Sequence, residues 1–533
     1  MPRIAPHIHG DGLEKQSPRT ERKNGSAGNN GMALNTAVTS PGGKAMIREF
    51  RLSRSAVVSV LVLAGVFAYA TFQWGGVVRN GRYQYLLVLG LLAMLLSRGR
   101  SEDQWPRLPG RLLRWSAVLL PAYVLLQVMP LPLAVLRVLS PARAEALDAL
   151  GPVGAKVSFA SLSVFPAGTF QYFLLVCAYL LIFLLIPELT SRLRDRFWLI
   201  IFPILSIAAL EAGLGLWQFF ETTGEQARWG TFANHNHYAG FLEMALPFAV
   251  MYPVAVLRDR RSTWHSSVTL AVAAAGVGAL AVLMFSGIIL SFSRMGFIAS
   301  LSSLFVMGTL VLGTTQQSSA MESPWRRWVG AGIVGTLVLA GFVFLPPEKL
   351  IQRFAKFVST DELTSAGRAQ LWAETLPLIR SYPVLGCGLG GFETAFSKFK
   401  ISGVLVTDDY AHNDYLQLLA ELGLAGFVIG VALALSIVRM AARAAINSAD
   451  PEARYCAVAC LGTLTAILLH SLADFNLYIP ANAMLLAWIA GIVVAVGLRG
   501  TSAKVRARLE LRDVTTEVAV EIGSLRPTVL SKQ

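Results

Sequence analysis

Hydrophobic residues occur in runs of about 20 from Ser55 to Leu498, the length that an α-helix needs to cross a bilayer. Polar connections separate the runs, and two of them are long, at 131–168 and 347–414. The pattern predicts an all-α, polytopic membrane protein of about twelve transmembrane helices, with a long, partly helical loop at 347–414 in which residues 368–381 form an amphipathic helix. The helices are predicted over residues 55–74, 83–97, 115–130, 169–187, 197–220, 237–257, 268–291, 295–313, 328–346, 415–438, 455–472 and 480–498.

The composition supports this interpretation and adds a question about charge. Hydrophobic residues make up 54% of the chain and charged residues only 15%, with a mean hydropathy of +0.55. Soluble proteins have a charged share of about one quarter, so an ordinary soluble enzyme is excluded. The formal net charge of +14 fits either a nucleic-acid partner or a membrane protein with basic cytoplasmic loops.

The distribution of arginine decides between these explanations, because alternate short connections differ sharply. One set is basic, with Arg98, Arg100, Arg107, Arg111, Arg114, Arg192, Arg194, Arg196, Arg258, Arg260, Arg261, Arg326, Arg327, Arg439, Arg443 and Arg454. The other set has only Arg79, Arg82, Arg228 and Arg294. Since cytoplasmic loops collect Lys and Arg, the chain is predicted to have both termini in the cytoplasm, its long loops outside, and no nucleic-acid partner.

The chain divides into three parts by composition. Residues 1–54 are rich in Gly, Asn, Ser and Pro and predict a disordered, basic cytoplasmic tail. Residues 55–498 form the multi-span membrane domain, including the outer loop 347–414. Residues 499–533 are polar and basic and predict a second cytoplasmic tail.

Polar residues that suit chemistry gather at the predicted outer ends of the helices. Arg228, Arg294 and Arg368 carry forked guanidinium groups, whose geometry matches diphosphate oxygens. His412 stands beside Asn413, just before a predicted span. An imidazole that a carboxylate holds in one tautomer can accept a proton near neutral pH, and Asp408, Asp409 and Asp414 are the candidate carboxylates.

Further polar residues are expected to support this site. Glu421 lies one turn after Gln417 in the span that follows His412. His470 and Asp474 are spaced i, i+4, which allows them to pair with each other. Glu211 and Glu243 lie inside spans, as proton-pathway groups or as partners of buried arginines.

The glycine-rich run at 382–396 allows either close contact with an anion or tight packing of the loop on the helices. Gly386, Gly388, Gly390 and Gly391 permit positive φ and close approach of backbone N–H groups. The histidines at 235 and 237 lack further ligands at a usable spacing, so we expect no metal site and no cofactor.

At these residues the sequence resembles the O-antigen ligase and O-antigen polymerase family of bacterial membrane glycosyltransferases. The resemblance lies in the order SFSRMGF, GRAQLW, YPVLGCGLGGF and AHNDYLQLLAELGLAG, with GTFANHNHYAGFLEMALP before them and HSLADFNL after them. Together these segments span roughly residues 228–480, and their combination is more specific than any one of them.

The resemblance implies a GT-C-like fold in the bacterial inner membrane and a metal-independent, inverting glycosyltransferase. Such enzymes move a glycan from an undecaprenyl-diphosphate donor to an acceptor hydroxyl at the periplasmic face. By position, Arg294 and Arg368 resemble the arginines that hold the donor diphosphate, and His412 resembles the residue that activates the acceptor. Arg228 is a further candidate for the diphosphate, and Asn413, Glu421, His470 and Asp474 are candidates for supporting roles.

The acceptor stays open at this point. Ligases transfer to lipid A-core in lipopolysaccharide, polymerases extend a glycan such as an exopolysaccharide, and related enzymes modify protein hydroxyls. Other polysaccharide-assembly proteins are expected partners. The competing functional class is a lipid-linked glycan exporter or flippase, for which the mid-span Glu211 and Glu243 would serve.

Overall fold

The computed structural model describes residues 33–38, 46–51, 54–77, 82–97, 108–150, 157–193, 196–221, 229–258, 267–315, 365–401 and 408–499. Within these ranges ten helices are long and apolar enough to cross a membrane, and a further apolar helix, over Gln84–Ser97, is shorter. The predicted all-α, polytopic membrane fold is therefore confirmed.

Eleven of the twelve predicted spans coincide with helices, and the remaining one, the ninth, at 328–346, lies outside the described residues. The helices in the apolar segments are α1 (Arg54–Phe72), α2 (Arg82–Ser97), α3 (Arg111–Val128), α6 (Pro166–Arg192), α7 (Phe197–Glu221), α8 (His235–Arg258), α9 (Ser267–Leu290), α10 (Arg294–Thr315), α13 (Asp414–Asn447), α14 (Pro451–His470) and α15 (Pro480–Arg499). The connections contain α4 (Leu133–Leu139), α5 (Pro141–Asp148), α11 (Ser365–Ser381) and α12 (Phe392–Phe396).

Residues before α1 contain an antiparallel pair of strands, β1 (Ala33–Val38) and β2 (Met46–Arg51), in which Leu34 is opposite Phe50. The polar composition of this segment predicts disorder instead. The connection between the strands contains Pro41, Gly42 and Gly43, which are typical turn residues and could have indicated the hairpin. Disorder stays a prediction for the rest of 1–54, and so does the C-terminal tail, which lies outside the described residues.

The helices α8, α14 and α15 form the centre of the membrane domain. In the most apolar 18-residue stretch of each helix, 83% of the residues are buried in α8 and 78% in both α14 and α15, compared with 22% in α9. The peripheral helices expose large apolar side chains, among them Leu61, Leu87 and Phe305. Exposed leucine and phenylalanine on membrane helices are the expected contact with lipid, whereas the central helices exchange that contact for packing against each other.

Ends of six helices meet at one end of the bundle, which we call the site end. The ends of α1, α3 and α14 meet the beginnings of α8, α13 and α15 there. Direct hydrogen bonds join them: Thr231 to the carbonyl of Thr71 (3.0 Å), Ser471 to Asp414 (2.7 Å) and Asn482 to the carbonyl of His237 (3.1 Å). The alternating direction of successive spans therefore brings residues that are distant in sequence to one end of the bundle.

The connections at this end are folded rather than extended. Short strands β3 (Pro130–Pro132) and β4 (Phe159–Ser161) pair antiparallel beside α4 and α5. The predicted amphipathic helix Arg368–Ser381 is present as α11, which begins three residues earlier. In the described part of 347–414, α11 and α12 give the loop its predicted, partly helical character.

Candidate active site

His412 lies in a short, strained turn at the start of α13. Its φ angle is +47°, in the left-handed region that a residue with a β-carbon rarely adopts. The residues on both sides hold this conformation. Trp372 of α11 donates its indole N–H to the carbonyl of Ala411 (2.9 Å), and Gln417 accepts the N–H of Ala411 (2.6 Å). Such strain persists only where the surroundings enforce it, and it is concentrated at functional sites.

Asn413 fixes the other side of the turn as the N-cap of α13. Its side-chain oxygen accepts hydrogen bonds from the N–H groups of Tyr415 (3.0 Å) and Leu416 (3.1 Å). Its amide donates to the carbonyl of Leu472 (3.0 Å), which follows α14. Asn413 therefore both begins the helix and ties the His412 turn to the segment that carries Asp474.

Asp474 is the carboxylate that faces His412. Its Oδ1 atom lies 3.5 Å from Nδ1 of His412 and 3.6 Å from Nε2 of His237. These contacts are slightly longer than a full hydrogen bond. Burial raises the pKa of Asp474, but His237, His412 and the nearby His470 lower it by more, so its pKa lies well below the usual range. Asp474 is therefore ionised throughout the neutral pH range.

Two of the three carboxylates expected from the sequence, Asp408 and Asp414, have other partners. Asp408 pairs with Lys400 (2.5 Å). Asp414 accepts hydrogen bonds from the hydroxyl of Ser471 (2.7 Å) and from the N–H of Leu477 (3.3 Å). The expectation that a carboxylate close in sequence orients His412 is wrong for these two residues, because the approach of α14 to α13 supplies Asp474 instead.

The expected pair of His470 and Asp474 is also not formed. The helix α14 ends at His470, so helical spacing does not extend to Asp474. Nδ1 of His470 lies 3.0 Å from the carboxylate of Glu243 on α8, and both side chains are fully buried. Glu243 thus has a histidine as its partner.

Glu211, the other mid-span carboxylate, has a hydroxyl partner. It accepts hydrogen bonds from the Thr231 hydroxyl (2.6 Å) and from the Thr231 N–H (2.9 Å). The expectation that arginines pair with Glu211 and Glu243 is therefore not met among the described residues.

The carboxylate of Glu421 holds the glycine-rich loop at 382–396 through hydrogen bonds. It accepts hydrogen bonds from the N–H groups of Gly390 (2.8 Å) and Phe392 (3.1 Å). The side chains of Gln417 (3.0 Å) and Tyr478 (2.7 Å) donate to the same carboxylate. These loop N–H groups are therefore satisfied by a buried side chain of the protein, which favours the packing role of the glycines over direct contact with an anion.

Glycine is required where the loop crosses a break in α13. Gly423 interrupts the helix with a φ of +61°, and Gly386 opposite has a φ of +72°. The freed backbone of α13 pairs with the loop, since the carbonyl of Glu421 accepts the N–H of Gly388 (2.9 Å). A side chain at Gly423 would collide with the backbone of Val384. Gly388 and Gly390 also have positive φ, whereas Gly391, with a φ of −99°, does not need it.

Two residues of α3 complete this arrangement and were missed by the sequence analysis. Gln127 donates to the carbonyls of Leu385 (2.8 Å) and Glu421 (2.9 Å), and it accepts the N–H of Leu389 (3.1 Å). The hydroxyl of Tyr123 lies 2.9 Å from the carbonyl oxygen of Leu385 and 2.8 Å from that of Leu422, and its one hydrogen can be donated to either. The sequence held one indication, since Gln127 is polar within an apolar run, but nothing in it identified the partner loop.

The predicted arginines lie at the same end but differ in their surroundings. Arg368 is one helical turn before Trp372 on α11 and therefore shares the face that contacts the His412 turn. Its Nε atom is buried and has no hydrogen-bond partner within the described ranges. Arg294 is exposed and begins α10. Arg228 lies outside the described residues.

The start of α10 lies close to the start of α8. Ser293 caps α10 by accepting the N–H of Gly296 (3.1 Å). Gly296 leaves room for Ala239 of α8, which a β-carbon at 296 would contact at 2.6 Å. Arg294 is thereby held beside the helix start that carries His237. Among the described residues no group of three His, Cys, Asp or Glu side chains is arranged to hold a metal ion.

A family model with the description O-antigen ligase matches residues 279–431. The matched segment includes Arg294, Arg368, His412 and Glu421, and it confirms the predicted family resemblance there. It is shorter than the segment on which the resemblance was based and ends before Asp474. No curated protein matches the chain.

Proposed function

We propose that this protein transfers a glycan from a polyprenyl-diphosphate donor to an acceptor hydroxyl, as its match to the O-antigen ligase model over residues 279–431 supports. The contact between His412 and Asp474 carries the proposal. It combines an imidazole that can accept a proton with a buried, ionised carboxylate that orients it. The strained backbone at His412 supports a functional role for this residue.

His412 acts as the general base of the transfer. Because Asp474 faces Nδ1, it favours the tautomer that carries the proton there and leaves Nε2 free to accept the acceptor's proton. The acceptor oxygen forms a bond to the anomeric carbon while the bond from that carbon to the diphosphate oxygen breaks. The proton moves to His412, and the diphosphate leaves with the polyprenyl chain. A single displacement of this kind inverts the anomeric centre.

Arginines supply the positive charge that the departing diphosphate requires. Arg368, with its buried Nε lacking a hydrogen-bond partner within the described ranges, provides a donor aimed at a ligand rather than at the protein. Arg294 and Arg228 are the further donors that we assign to the diphosphate. Guanidinium groups stabilise developing phosphate charge without a divalent ion, so the transfer is proposed to be metal-independent.

The position of the site fits a substrate that is anchored in lipid. The site end lies where the spanning helices stop, so a polyprenyl chain can stay in the bilayer while its diphosphate reaches the arginines. The arginine-poor connections lie at this end, which supports a periplasmic site in the inner membrane with both termini in the cytoplasm. The acceptor is a lipid-borne glycan, a lipid A-core or a protein hydroxyl.

Reconstitution tests the proposal. The purified protein is placed in liposomes with an undecaprenyl-diphosphate glycan and, in separate arms, a lipid A-core acceptor, a second lipid-linked glycan, or an acceptor protein. We expect transfer in one arm, and the same rate in the presence of EDTA. No transfer in any arm would contradict the proposal, and inhibition by EDTA that a divalent ion reverses would contradict metal independence.

The glycan product of a deletion strain identifies the acceptor independently. Loss of a ligase leaves long polymer unattached to the lipid A-core, whereas loss of a polymerase leaves single short repeats. Normal polymer on a normal carrier would contradict both assignments.

Replacing Arg294 by lysine is expected to lower the transfer rate about tenfold, because lysine keeps the charge but loses the bidentate fork. The rate is measured in the reconstituted assay at saturating donor. The matched control is Arg380→Lys, at an exposed arginine of α11 to which we assign no role. A rate for Arg294→Lys equal to that of the control would show that charge alone is sufficient.

A further inference from the structure

A second histidine faces the carboxylate that orients His412. His237 lies in the first turn of α8, and its Nε2 atom is 3.6 Å from Oδ1 of Asp474. We propose that His237 is a positioning residue for glycan transfer, which holds Asp474 in the orientation and charge state that His412 requires. This inference rests on the proposed function.

The two histidines approach the same oxygen atom. Oδ1 of Asp474 also accepts the N–H of Phe475 (2.9 Å), so three nitrogen atoms lie close to this oxygen. The ring of Phe475 contacts both imidazoles edge-on, with centroids 4.5 Å from His237 and 4.8 Å from His412. Both histidines therefore contact the same two residues, Asp474 and Phe475. A shift of either histidine would move side chains that the other histidine contacts.

Burial assigns different roles to the two histidines. The side chain of His237 is 7% exposed and that of His412 is 19% exposed. An acceptor hydroxyl can reach the more exposed imidazole, whereas the side chain of His237 is almost fully enclosed. His412 is therefore the base, and His237 acts through the carboxylate.

Asp474 needs a second partner for electrostatic reasons. Its side chain is 1% exposed, and a buried carboxylate is costly unless neighbouring donors or cations compensate it. The other titratable groups packed nearby are His470 and two carboxylates, Asp414 and Glu243. His470 is engaged by Glu243. His237 is thus the partner that keeps Asp474 compensated while the charge on His412 changes during transfer.

The fold holds His237 from the opposite side. Asn482 of α15 donates to the carbonyl of His237 (3.1 Å) and to Oδ1 of Asn476 (2.8 Å). Gly240, one turn further along α8, leaves space for the side chain of Asn476. The first turn of α8 is therefore tied to the same segment that carries Asp474 and Phe475, as a positioning role requires.

A double-mutant cycle with His237→Phe and Asp474→Asn tests the inference in reconstituted full-length protein. Phenylalanine keeps the ring volume but removes the nitrogen. We expect His237→Phe to lower kcat about 10- to 100-fold, in line with outer-shell partners of catalytic groups, with the KM for the donor unchanged. In the Asp474→Asn background the same substitution is expected to change kcat by less than about threefold, since the carboxylate through which His237 acts is already absent.

His237→Gln is the rescue variant, because its amide N–H can replace the imidazole donor. It is expected to recover at least about half of the wild-type kcat on that ground. The matched control is His235→Ala, at a histidine in the same turn whose ring contacts Trp229. The control is expected to keep wild-type kcat.

The outcomes separate this inference from the proposed function. If the wild-type protein transfers no glycan, the proposed function fails. If the wild type is active but His237→Phe lowers kcat equally in both backgrounds, or if His237→Gln is as slow as His237→Phe, the positioning role is overturned while the function stands. If His237→Phe does not insert stably, the comparison of His237→Gln with His237→Ala in both backgrounds decides in the same way.

Discussion

Replacing His412 by asparagine is expected to lower the rate of glycan transfer by about 10²- to 10⁴-fold, the usual contribution of a general base. Asparagine is the informative choice because it tolerates the positive φ at this position and cannot act as the base. Stability should therefore be unchanged or slightly raised. Transfer is measured in the reconstituted assay, and stability by thermal unfolding in detergent.

His412→Ala and His412→Gly serve as companions to this variant. Alanine also lacks the base but keeps a β-carbon in the strained turn, whereas glycine removes the strain. All three variants should be equally slow, although they differ in stability. Transfer by His412→Asn within about tenfold of the wild-type rate would leave too small an effect for a general base and remove His412 from the mechanism.

Replacing Glu421 by leucine is expected to destabilise the fold by about 4 kcal/mol, because two loop N–H groups and two side chains lose their acceptor in a buried site. Leucine has a similar volume, so the loss of hydrogen bonds dominates. The loop next to the His412 turn should loosen, and transfer should fall with stability. Thermal unfolding in detergent and protease sensitivity near 382–396 measure the effect.

Glu421→Gln is the matched control, because its amide oxygen still accepts hydrogen bonds from the loop. Its stability should lie much closer to that of the wild type. If the Glu421→Leu and Glu421→Gln variants both unfold at the wild-type temperature, Glu421 does not organise the loop. If both are equally unstable, the negative charge itself is required.

The sequence predicted the helices well because a membrane span is a local property. A run of apolar residues must form a helix in lipid to satisfy its backbone hydrogen bonds, whatever its neighbours are. Even α11, in a loop, was predicted from its own periodicity. The hairpin before α1 was missed because its strands are short and depend on each other.

The candidate site was predicted only in part. Position along the chain and side-chain chemistry were enough to identify three of its residues, His412, Arg368 and Glu421. Their partners were not: the spacing allows Asp474 to pair with His470 rather than with His412, and nothing in the sequence connects the glycine loop to Gln127. These contacts join different helices, and helical spacing within one segment cannot reveal them.

The sequence by itself thus determined that the chain crosses a membrane, which segments cross it, and which end collects the polar residues. Each of these follows from the hydrophobicity of one segment and its flanking residues, without reference to the rest of the chain. The tertiary structure decided which side chains meet. The packing of α8, α13 and α14 brings His237 and His412 to one carboxylate oxygen of Asp474. That choice depends on how helices pack, and helix packing in a bilayer follows from small residues and interhelical hydrogen bonds rather than from the hydrophobicity that defines the spans.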